Sequence, residues 1–346
     1  MLKVALIYNL KRKKNKDIPA DFYSEFDSQE TVEAVAAALS SAGHKVFLAQ
    51  ADEKIFDWFK NNQVDIVFNM AEGISGSGRE SEIPAILDFL GIPYTGSGVL
   101  TLALALDKEM SKRIFTSFSI PTPRFQLFRS GDETLKEDLH FPLIIKPNCE
   151  GSAKGIHAKS VVNNEARVYE EVARIKKIYQ QDALAEEFIE GKEITVGILG
   201  NRSFEVLPLL EIDFANCNKK GEFFYSWEVK EYQGIDPAYP DPEFFCPARL
   251  NVEQQEGVKK VALAAHQALG CLDVSRVDIR LSPESIPYVL EVNPLPGLDP
   301  KESNLTKMAQ AARLGYSKLI NRILDNALNR YKMTTASKPE AVTKER

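Results

Sequence analysis

The chain has 346 residues, of which 44% are hydrophobic and 27% are charged, and its formal net charge is −6. This length and composition predict a soluble globular protein with two or three subdomains, and the acidic balance argues against a protein that coats nucleic acid. The first residues are too polar for a signal peptide, no apolar run is long enough to span a membrane, and the four cysteines form no CxxC pair. We therefore expect a cytoplasmic protein with reduced thiols and with neither nucleic-acid nor membrane partners.

The first 70 residues alternate between predicted strands and helices. Compact apolar runs typical of buried strands occur at 4–9, 45–50 and 64–70, with helical segments at 28–39 and 55–62 between them. This β-α-β-α-β order predicts a parallel sheet that binds its ligands beyond the carboxyl ends of the strands. The Gly/Ser-rich loop ISGSGRE follows the third strand, where such a site is expected.

A long polar loop, KRKKNKDIPADFYSEFD, follows the first strand. Its basic cluster, from Lys11 to Lys16, is followed closely by the acidic residues Asp17, Asp21 and Glu25. One interpretation is an ordinary solvated loop. The other is a mobile lid over an active site.

The rest of the chain contains more strands and ends in a polar tail. Helices are predicted at 83–91, 100–118, 166–180, 252–270 and near 307–328. A short strand and turn are predicted at 92–98, and two strands are predicted within 183–201, one on each side of a turn at Gly191. Further strands are predicted at 141–148, 204–213, 222–228, 275–281 and 286–292. Residues 329–346 are predicted to be a disordered tail.

The last two strands, SRVDIRL and IPYVLEV, flank the short turn SPES and predict an antiparallel hairpin. We assume that Leu281 pairs with Tyr288 next to this turn. Alternation then places four polar residues on one face of the hairpin. The pairs are Asp278 with Glu291 and Arg276 with Asn293.

Two carboxylates that face each other repel unless a cation lies between them. Mg²⁺ prefers such hard oxygen ligands and usually keeps contacts to nucleotide phosphates as well. Arg276, on the same face, is suited to stabilise charge on a transferring phosphoryl group. The alternative is that Asp278 and Glu291 are half-exposed acids on a solvent face.

Two further stretches suggest a nucleotide site. In IIKPNCEGSAKGIH, Lys146 ends an apolar strand and a Gly-flanked Ser152 follows, so this loop is either a phosphate clamp or a surface hairpin. The stretch AEEFIEGKE resembles a hinge that lines a nucleotide base, although an amphipathic strand with solvent-exposed acids is an equal alternative. Its acidic and apolar residues are Glu186, Phe188, Ile189 and Glu193.

In order, these motifs resemble the ATP-grasp ligases, and among them the D-alanine–D-alanine ligase family. The resemblance extends from about residue 64 to residue 325 and rests on GIPYTGSGVLTLALALDK (91–108), LIIKPNCEGSAKGI (143–156), EEFIEGKEITVGILGN (186–201), FFCPARL (244–250), SRVDIRL (275–281) and EVNPLPGL (291–298). It implies an N-terminal parallel-sheet α/β domain followed by a two-lobed ATP-grasp fold of α+β lobes. The implied divisions are 1–98, 99–187 and 188–328, followed by the tail at 329–346.

The resemblance also implies a reaction in which ATP phosphorylates a carboxylate and an amine then displaces the phosphate. It implies ATP and Mg²⁺ as cofactors, with Mn²⁺ as an alternative, small amino-acid substrates, and it allows a homodimer. For the nucleotide, it implies phosphate contacts at Lys108, Lys146 and Lys230, a phosphate lid around Ser152, and an adenosine site at Glu186, Phe188, Ile189 and Glu193. For the chemistry, it implies metal ligands at Asp278, Glu291 and Asn293, and stabilisation of the tetrahedral intermediate by Arg276.

The amino-acid half departs from the family pattern. Glu25 is only an approximate counterpart of the family's first substrate-side glutamate, which would have a catalytic role. Ala71-Glu72-Gly73 replaces a His-Gly loop, and GSGRE replaces GEDG. In the family pattern a tyrosine directly follows the lysine that corresponds to Lys230, whereas here Glu231 lies between Lys230 and Tyr232. The residues that remain candidates for substrate contact are Glu72, Tyr232, Ser303 and Asn304.

Three functions are therefore compared. The first is a D-alanine–D-alanine ligase of peptidoglycan precursor synthesis, or a close dipeptide-forming relative. The second is an ATP-grasp ligase that joins another carboxylate and amine. The third is an ATP-binding regulator without catalysis, and the intact metal face argues against it because a sensor need not keep both carboxylates and the arginine.

Overall fold

The computed structural model describes residues 1–12, 18–217, 224–232 and 241–333. Within these ranges the strands are β1 (Lys3–Tyr8), β2 (Lys45–Gln50), β3 (Ile66–Asn69), β4 (Phe125–Phe128), β5 (Leu143–Pro147), β6 (Val161–Val162), β7 (Ala183–Glu187), β8 (Lys192–Leu199), β9 (Glu205–Val206), β10 (Leu210–Asp213), β11 (Glu243–Phe245), β12 (Val274–Leu281) and β13 (Pro287–Asn293). The helices are α1 (Gln29–Ser41), α2 (Ile55–Asn61), α3 (Glu82–Leu90), α4 (Val99–Leu106), α5 (Lys108–Ser117), α6 (Glu165–Tyr179), α7 (Trp227–Tyr232), α8 (Val252–Ala268), α9 (Asn304–Ala311) and α10 (Tyr316–Arg330).

The strands form three sheets. The first is parallel, with the order β2-β1-β3, as the alternating pattern predicts. The second is antiparallel, with the order β4-β7-β5-β6. The third is also antiparallel, with the order β11-β10-β8-β12-β13, and β9 pairs with β8. The mixed fold class is confirmed, while the exact domain boundaries remain a prediction.

The central strand of the parallel sheet is buried on both faces, which explains its continuous apolar sequence. Val4 and Leu6 pack into a core with α1 and α10, whereas Ala5 and Ile7 face a second core beneath α2 and α3. Every helix in the described ranges is too short or too polar to cross a membrane. All four cysteines are free.

The structure corrects several predicted elements in the second half. The helix predicted at 100–118 is two helices, because Asp107 leaves the helical conformation and its carboxylate accepts the Met110 N–H at 3.0 Å to cap α5. The strand predicted at 222–228 is wrong where the structure describes it, since α7 begins at Trp227. The strands on both sides of Gly191 exist, but β7 and β8 belong to different sheets.

The C-terminal end of the chain also differs from prediction. The terminal helix is two helices, α9 and α10, and the predicted tail starts too early because α10 continues through Arg330 and Met333 is buried. Residues 334–346 lie outside the described residues. In the basic loop, residues 13–17 also lie outside them, so the lid interpretation of that cluster is not addressed.

The hairpin of β12 and β13 contains a β-bulge at Leu290. The strand pairs Leu281 with Pro287, not with Tyr288 as assumed, and this register continues to Ile279. The extra residue then shifts the register, so that the next pair is Asp278 with Glu291. The assumed closing pair is wrong by one residue, yet the predicted polar pairs are correct.

Gly73 holds the loop after β3 against the short 3₁₀ turn at Arg79–Ser81. Its φ is +74°, and a Cβ at this position would lie 2.7 Å from the carbonyl carbon of Arg79. Its N–H donates to Asn9 Oδ1 at 3.0 Å. This close backbone approach brings Glu72 beside the 3₁₀ turn.

We expect Gly73→Ala to lower the free energy of unfolding by about 3 kcal/mol, since it combines an unfavourable positive φ with overpacking against backbone. Gly43→Ala is the matched control, because Gly43 has a φ of +83° but no atom within 4 Å of the added Cβ. That variant should lose only about 1 kcal/mol. Urea unfolding of both variants makes the comparison, and equal losses would contradict the packing constraint.

Candidate active site

The predicted metal face is assembled on β12 and β13. Asp278 accepts hydrogen bonds from Arg276 Nη2 at 2.7 Å, from Asn293 Nδ2 at 3.0 Å and from the Thr195 hydroxyl. Glu291 lies opposite Asp278 in the ladder and forms an ion pair with Lys108 at 3.3 Å. The four residues predicted to share this face do so.

The charge state of Glu291 is set by the cations around it. Burial opposes its ionisation, but the charges of Lys108, Lys146 and Arg276 outweigh burial and lower the pKa of Glu291 to about 2. The carboxylate is therefore ionised at neutral pH. Three elements supply these cations: α5, β5 and β12.

The donor set of this face fits Mg²⁺. Asp278 and Glu291 provide carboxylate oxygens, and Asn293 uses its Nδ2 group toward Asp278, which leaves its amide oxygen available. Hard oxygen donors of this kind suit Mg²⁺ better than softer metals. The like charges of the two facing carboxylates also favour a cation between them.

A buried ion network lies next to this face. Lys146 contacts Glu186 at 2.6 Å, and Lys112 contacts the other Glu186 oxygen at 2.8 Å. Burial raises the pKa of Glu186, but the two lysines outweigh it and keep that pKa below its usual value. Burial lowers the pKa of Lys112 to about 8. Sequence reasoning missed Lys112, although its i,i+4 spacing from Lys108 on one helix face was a usable signal.

The predicted adenosine residues lie on both sides of the crossover between two sheets. Phe188 and Ile189 follow β7, and Glu193 lies on β8. Arg280, which sequence reasoning also missed, joins all three: its guanidinium lies 5.1 Å from the Phe188 ring centroid, donates to the Ile189 carbonyl at 2.9 Å and pairs with Glu193 at 3.3 Å. Burial of the Glu193 carboxyl group outweighs the opposing positive charge of Arg280 and raises the pKa of Glu193 to about 7.

Helix α7 carries Lys230 and Tyr232. Burial, with repulsion from Arg276 as the next cause, lowers the pKa of Lys230 to about 8. The Tyr232 ring packs edge-on against Trp227 at 5.8 Å. Glu228, on the same helix, lies 2.5 Å from His157 Nδ1, which connects α7 to the end of the glycine loop.

The glycine loop is held by the segment that follows β1. Glu25 accepts the Gly151 N–H at 2.7 Å, and Asp21 accepts the Gly155 N–H at 2.8 Å. Between these two contacts Ser152 has a φ of 50°, in the left-handed region. The N-terminal segment therefore fixes the predicted phosphate loop near both of its ends.

Arg79 and Lys154 surround Glu25, and sequence reasoning missed both. Arg79 Nη2 contacts the two Glu25 oxygens at 2.7 and 2.9 Å, and its Nη1 donates to the Cys149 carbonyl at 2.7 Å. Lys154 contacts Glu25 at 3.2 Å and Glu150 at 2.5 Å. Burial opposes ionisation of Glu25, but Arg79, Lys154 and the Gly151 N–H outweigh it and lower its pKa. Arg79 stands in the GSGRE loop, whose departure from the family pattern was the available signal.

The remaining residues predicted to contact the substrates do not all line the same cavity. Glu72 and Glu25 line a cavity of about 40 Å³ together with the turn 294–298. Ser303 and Asn304 are not among the residues that line it. Ser303 precedes α9, and its Oγ accepts the Asp299 N–H at 2.8 Å, so it closes the turn rather than facing the cavity.

Comparison with known proteins gives one consistent family. A family model described as "D-ala D-ala ligase C-terminus" matches residues 114–325. The D-alanine–D-alanine ligase of Moorella thermoacetica is 33% identical to this chain, covering 85% of this chain and 92% of that protein. An uncharacterised Sinorhizobium fredii protein, y4sG, is 36% identical, covering 86% of this chain and 88% of that protein.

A solved structure agrees with this sequence relationship. The D-alanine–D-alanine ligase of Bacillus anthracis in complex with ATP superimposes with a TM-score of 0.74 at 27% identity, over 96% of this chain and 99% of that one. The match confirms the mixed fold with a parallel sheet and antiparallel sheets. The chain belongs to the D-alanine–D-alanine ligase family of the ATP-grasp superfamily.

Proposed function

We propose that this chain is an ATP-dependent, ADP-forming ligase that joins two amino acids, with D-alanine as both substrates. The observation that carries this proposal is the shared face of β12 and β13, where Asp278, Glu291 and Asn293 lie together beside Arg276. Family membership and the full-length structural match support the same reaction. The product would serve as a peptidoglycan precursor.

The proposed reaction has two steps. A carboxylate oxygen of the first amino acid attacks the γ-phosphorus of ATP, the bond to the bridging oxygen breaks, and ADP leaves with that electron pair. The amine of the second amino acid then attacks the carbonyl carbon of the acyl phosphate, loses a proton, and expels phosphate. The cations near the β12–β13 face are suited to both steps, because negative charge develops on phosphoryl and carbonyl oxygens.

Specific residues would divide this work. Lys108, Lys146 and Lys230 would bind ATP phosphates, and Arg276 would stabilise the oxyanion of the tetrahedral intermediate. Mg²⁺ held by Asp278, Glu291 and Asn293, or Mn²⁺ in its place, supplies neutralisation of phosphate charge. The residues proposed for adenosine and lid contacts are Glu186, Phe188, Ile189, Glu193 and Ser152, and those proposed for substrate contact are Glu72 and Tyr232.

A ligase for a different carboxylate and amine is the second candidate. The observation in its favour is the Arg79–Glu25 ion pair, because Glu25 is the approximate counterpart of the family's substrate-side glutamate and is already neutralised. Ser303, whose hydroxyl closes a turn, gives the same indication on the side of the second substrate. Both observations concern the amino-acid half.

Phosphate release from ATP and Mg²⁺ across a panel of D- and L-amino acids tests the proposal. We expect release that requires D-alanine alone. Release only with other substrates would establish the second candidate instead. Binding of ATP without turnover on any pair would contradict both and favour a regulator.

Replacement of the central metal ligand gives a sharper test. We expect Glu291→Gln to reduce phosphate release by about 100-fold or more and to raise the Mg²⁺ concentration required, because the ligand loses its charge. Glu284→Gln is the matched control, since Glu284 is exposed in the turn of the same hairpin. Near-normal phosphate release in Glu291→Gln would contradict the metal assignment.

The pKa of Lys230 predicts a pH dependence. Because that pKa is about 8, Lys230 loses its positive charge as pH rises above 8, and kcat/KM for ATP should fall by about tenfold per pH unit. Lys230→Arg should move this fall to higher pH, since arginine stays charged. An unchanged pH profile in Lys230→Arg would contradict the role of Lys230 in phosphate binding.

A further inference from the structure

The face of β12 that carries Arg276 and Asp278 extends one position further, to Arg280. Alternation along a strand places residues 276, 278 and 280 on the same side of the sheet, and Arg280 lies about 7 Å beyond Asp278. In the ladder, Arg280 pairs with Glu193 of β8 on one side and with Tyr288 of β13 on the other. Arg280 therefore stands at the end of the face that is nearest to the crossover between β7 and β8.

The buried guanidinium of Arg280 contacts three of the four residues proposed for adenosine. Its Nε donates to the Ile189 carbonyl at 2.9 Å, and its Nη1 donates to Glu193 Oε2 at 3.3 Å. Its central carbon lies 5.1 Å from the centre of the Phe188 ring. Because the donors of a guanidinium are held in one rigid plane, Arg280 fixes the crossover backbone and the Glu193 side chain relative to each other.

Gly191 attaches the same crossover to β12 independently of Arg280. Its φ is +121°, and a Cβ at this position would lie 2.1 Å from the carbonyl oxygen of Leu281. This is a contact between two backbones, so the path of the crossover does not depend on the Arg280 side chain. The contribution of Arg280 is the finer alignment of Ile189 and Glu193.

Stability alone is a poor explanation for the pair of Arg280 and Glu193. The two side chains are only 5% and 13% exposed, so the pair forms at a desolvation cost. Burial lowers the pKa of Arg280 and raises that of Glu193, in both cases against their mutual attraction. Apolar residues often replace such a pair without loss of stability.

The pair leaves one acceptor of Glu193 available to a ligand. Arg280 contacts Oε2, whereas Oε1 has no hydrogen-bond partner among the described residues. A carboxylate accepts several hydrogen bonds at once, and those from hydroxyl groups to an ionised oxygen are strong. The two ribose hydroxyls of a nucleotide are donors of this kind.

We propose that Arg280 is a positioning residue for the nucleoside half of ATP, which holds Glu193 for the ribose hydroxyls and the Ile189 backbone for the base. This assignment rests on the proposed ligase function and adds to it a residue that determines nucleotide affinity. Arg280 acts through Glu193 and not on the reacting atoms. The chemical step beside Arg276 and Asp278 should therefore be retained when Arg280 is replaced.

A direct phosphate contact suits Arg280 less well. Its Nε and Nη1 donors already have protein acceptors, and Glu193 offsets its charge. Lys108 and Lys146, by contrast, act on Glu291 at the metal face, where the phosphates are expected.

The test compares ADP with 2′,3′-dideoxy-ADP, which lacks both ribose hydroxyls. Each nucleotide is titrated with Mg²⁺ into the full chain by isothermal titration calorimetry, at a pH above the Glu193 pKa of about 7. We expect the unaltered protein to bind ADP at least about tenfold more tightly, because hydrogen bonds to a charged group are strong. Arg280→Met should lower this ratio to about two. A merely structural role would weaken both nucleotides equally and leave the ratio unchanged.

Two further variants identify the route and the specificity of the effect. Glu193→Gln should lower the ratio as far as Arg280→Met does, and the double variant should lower it no further, because both changes remove one interaction. Arg249→Met is the matched control and should keep the full ratio. Arg249, near the far edge of the same sheet, also pairs with a glutamate, Glu211, and its guanidinium lies 3.5 Å from the centre of the Phe245 ring.

Four outcomes would overturn the proposal: an unaltered protein without a preference for ADP, an Arg280→Met variant that keeps it, effects that add in the double variant, or loss of the preference in Arg249→Met. If thermal melting shows that Arg280→Met does not fold, Arg280→Gln takes its place with the same expected and contradicting results. At saturating ATP, kcat for phosphate release should change by less than about threefold in the Arg280 variant while KM for ATP rises. A large loss of kcat with an unchanged ratio would assign Arg280 to the chemical step and refute the positioning role.

The nucleotide titration and the amino-acid panel fail separately, because ADP binding requires no turnover. Phosphate release with D-alanine, together with an unchanged ratio in Arg280→Met, would refute the role of Arg280 and leave the ligase function standing. Absence of release with every amino acid would refute the ligase function, whereas the titration would still report whether Arg280 acts through Glu193 on the ribose.

Discussion

The extra residue at Leu290 is the constraint on which the metal face depends. Val289 and Val292 both face the core against Ile279 and Val277, although three positions separate them and strict alternation would place them on opposite faces. The bulge resolves this conflict by inserting one unpaired residue between them. Without it, the register that starts at the turn would direct Glu291 into the hydrophobic core, where a charged carboxylate is strongly disfavoured.

Around this face, the site brings together several buried lysine and arginine side chains. The cations come from separate elements, α5, β5, α7 and β12. Burial is the main cause of the lowered pKa values of Lys112 and Lys230, and repulsion from Lys146 and Arg276, respectively, lowers them further. Glu186 and Glu291 offset part of the repulsion. A polyanion such as a nucleotide phosphate chain would offset the rest, so the electrostatic cost in the free protein is a source of affinity for that ligand.

The segment after β1 connects this nucleotide half to the amino-acid half. Its two carboxylates, Asp21 and Glu25, each accept a backbone N–H from the glycine loop, and Glu25 also neutralises Arg79 from the opposite side. The loop that would cover the phosphates and the pocket that would hold the first substrate thus share one hydrogen-bond network. A change in either part therefore alters the other.

The sequence by itself determined the elements whose cause is local. Apolar runs gave the parallel sheet, and period-two alternation placed Arg276 and Asp278 on one face of a strand. The lysine and glycine motifs predicted Lys146 near the end of a strand and Ser152 in the glycine loop that follows it. Only the tertiary structure decided the Leu290 bulge and the Arg79–Glu25 pair. The physical reason is distance along the chain: Glu25 and Gly151 are 126 positions apart, so their contact depends on how three sheets pack and not on any local pattern.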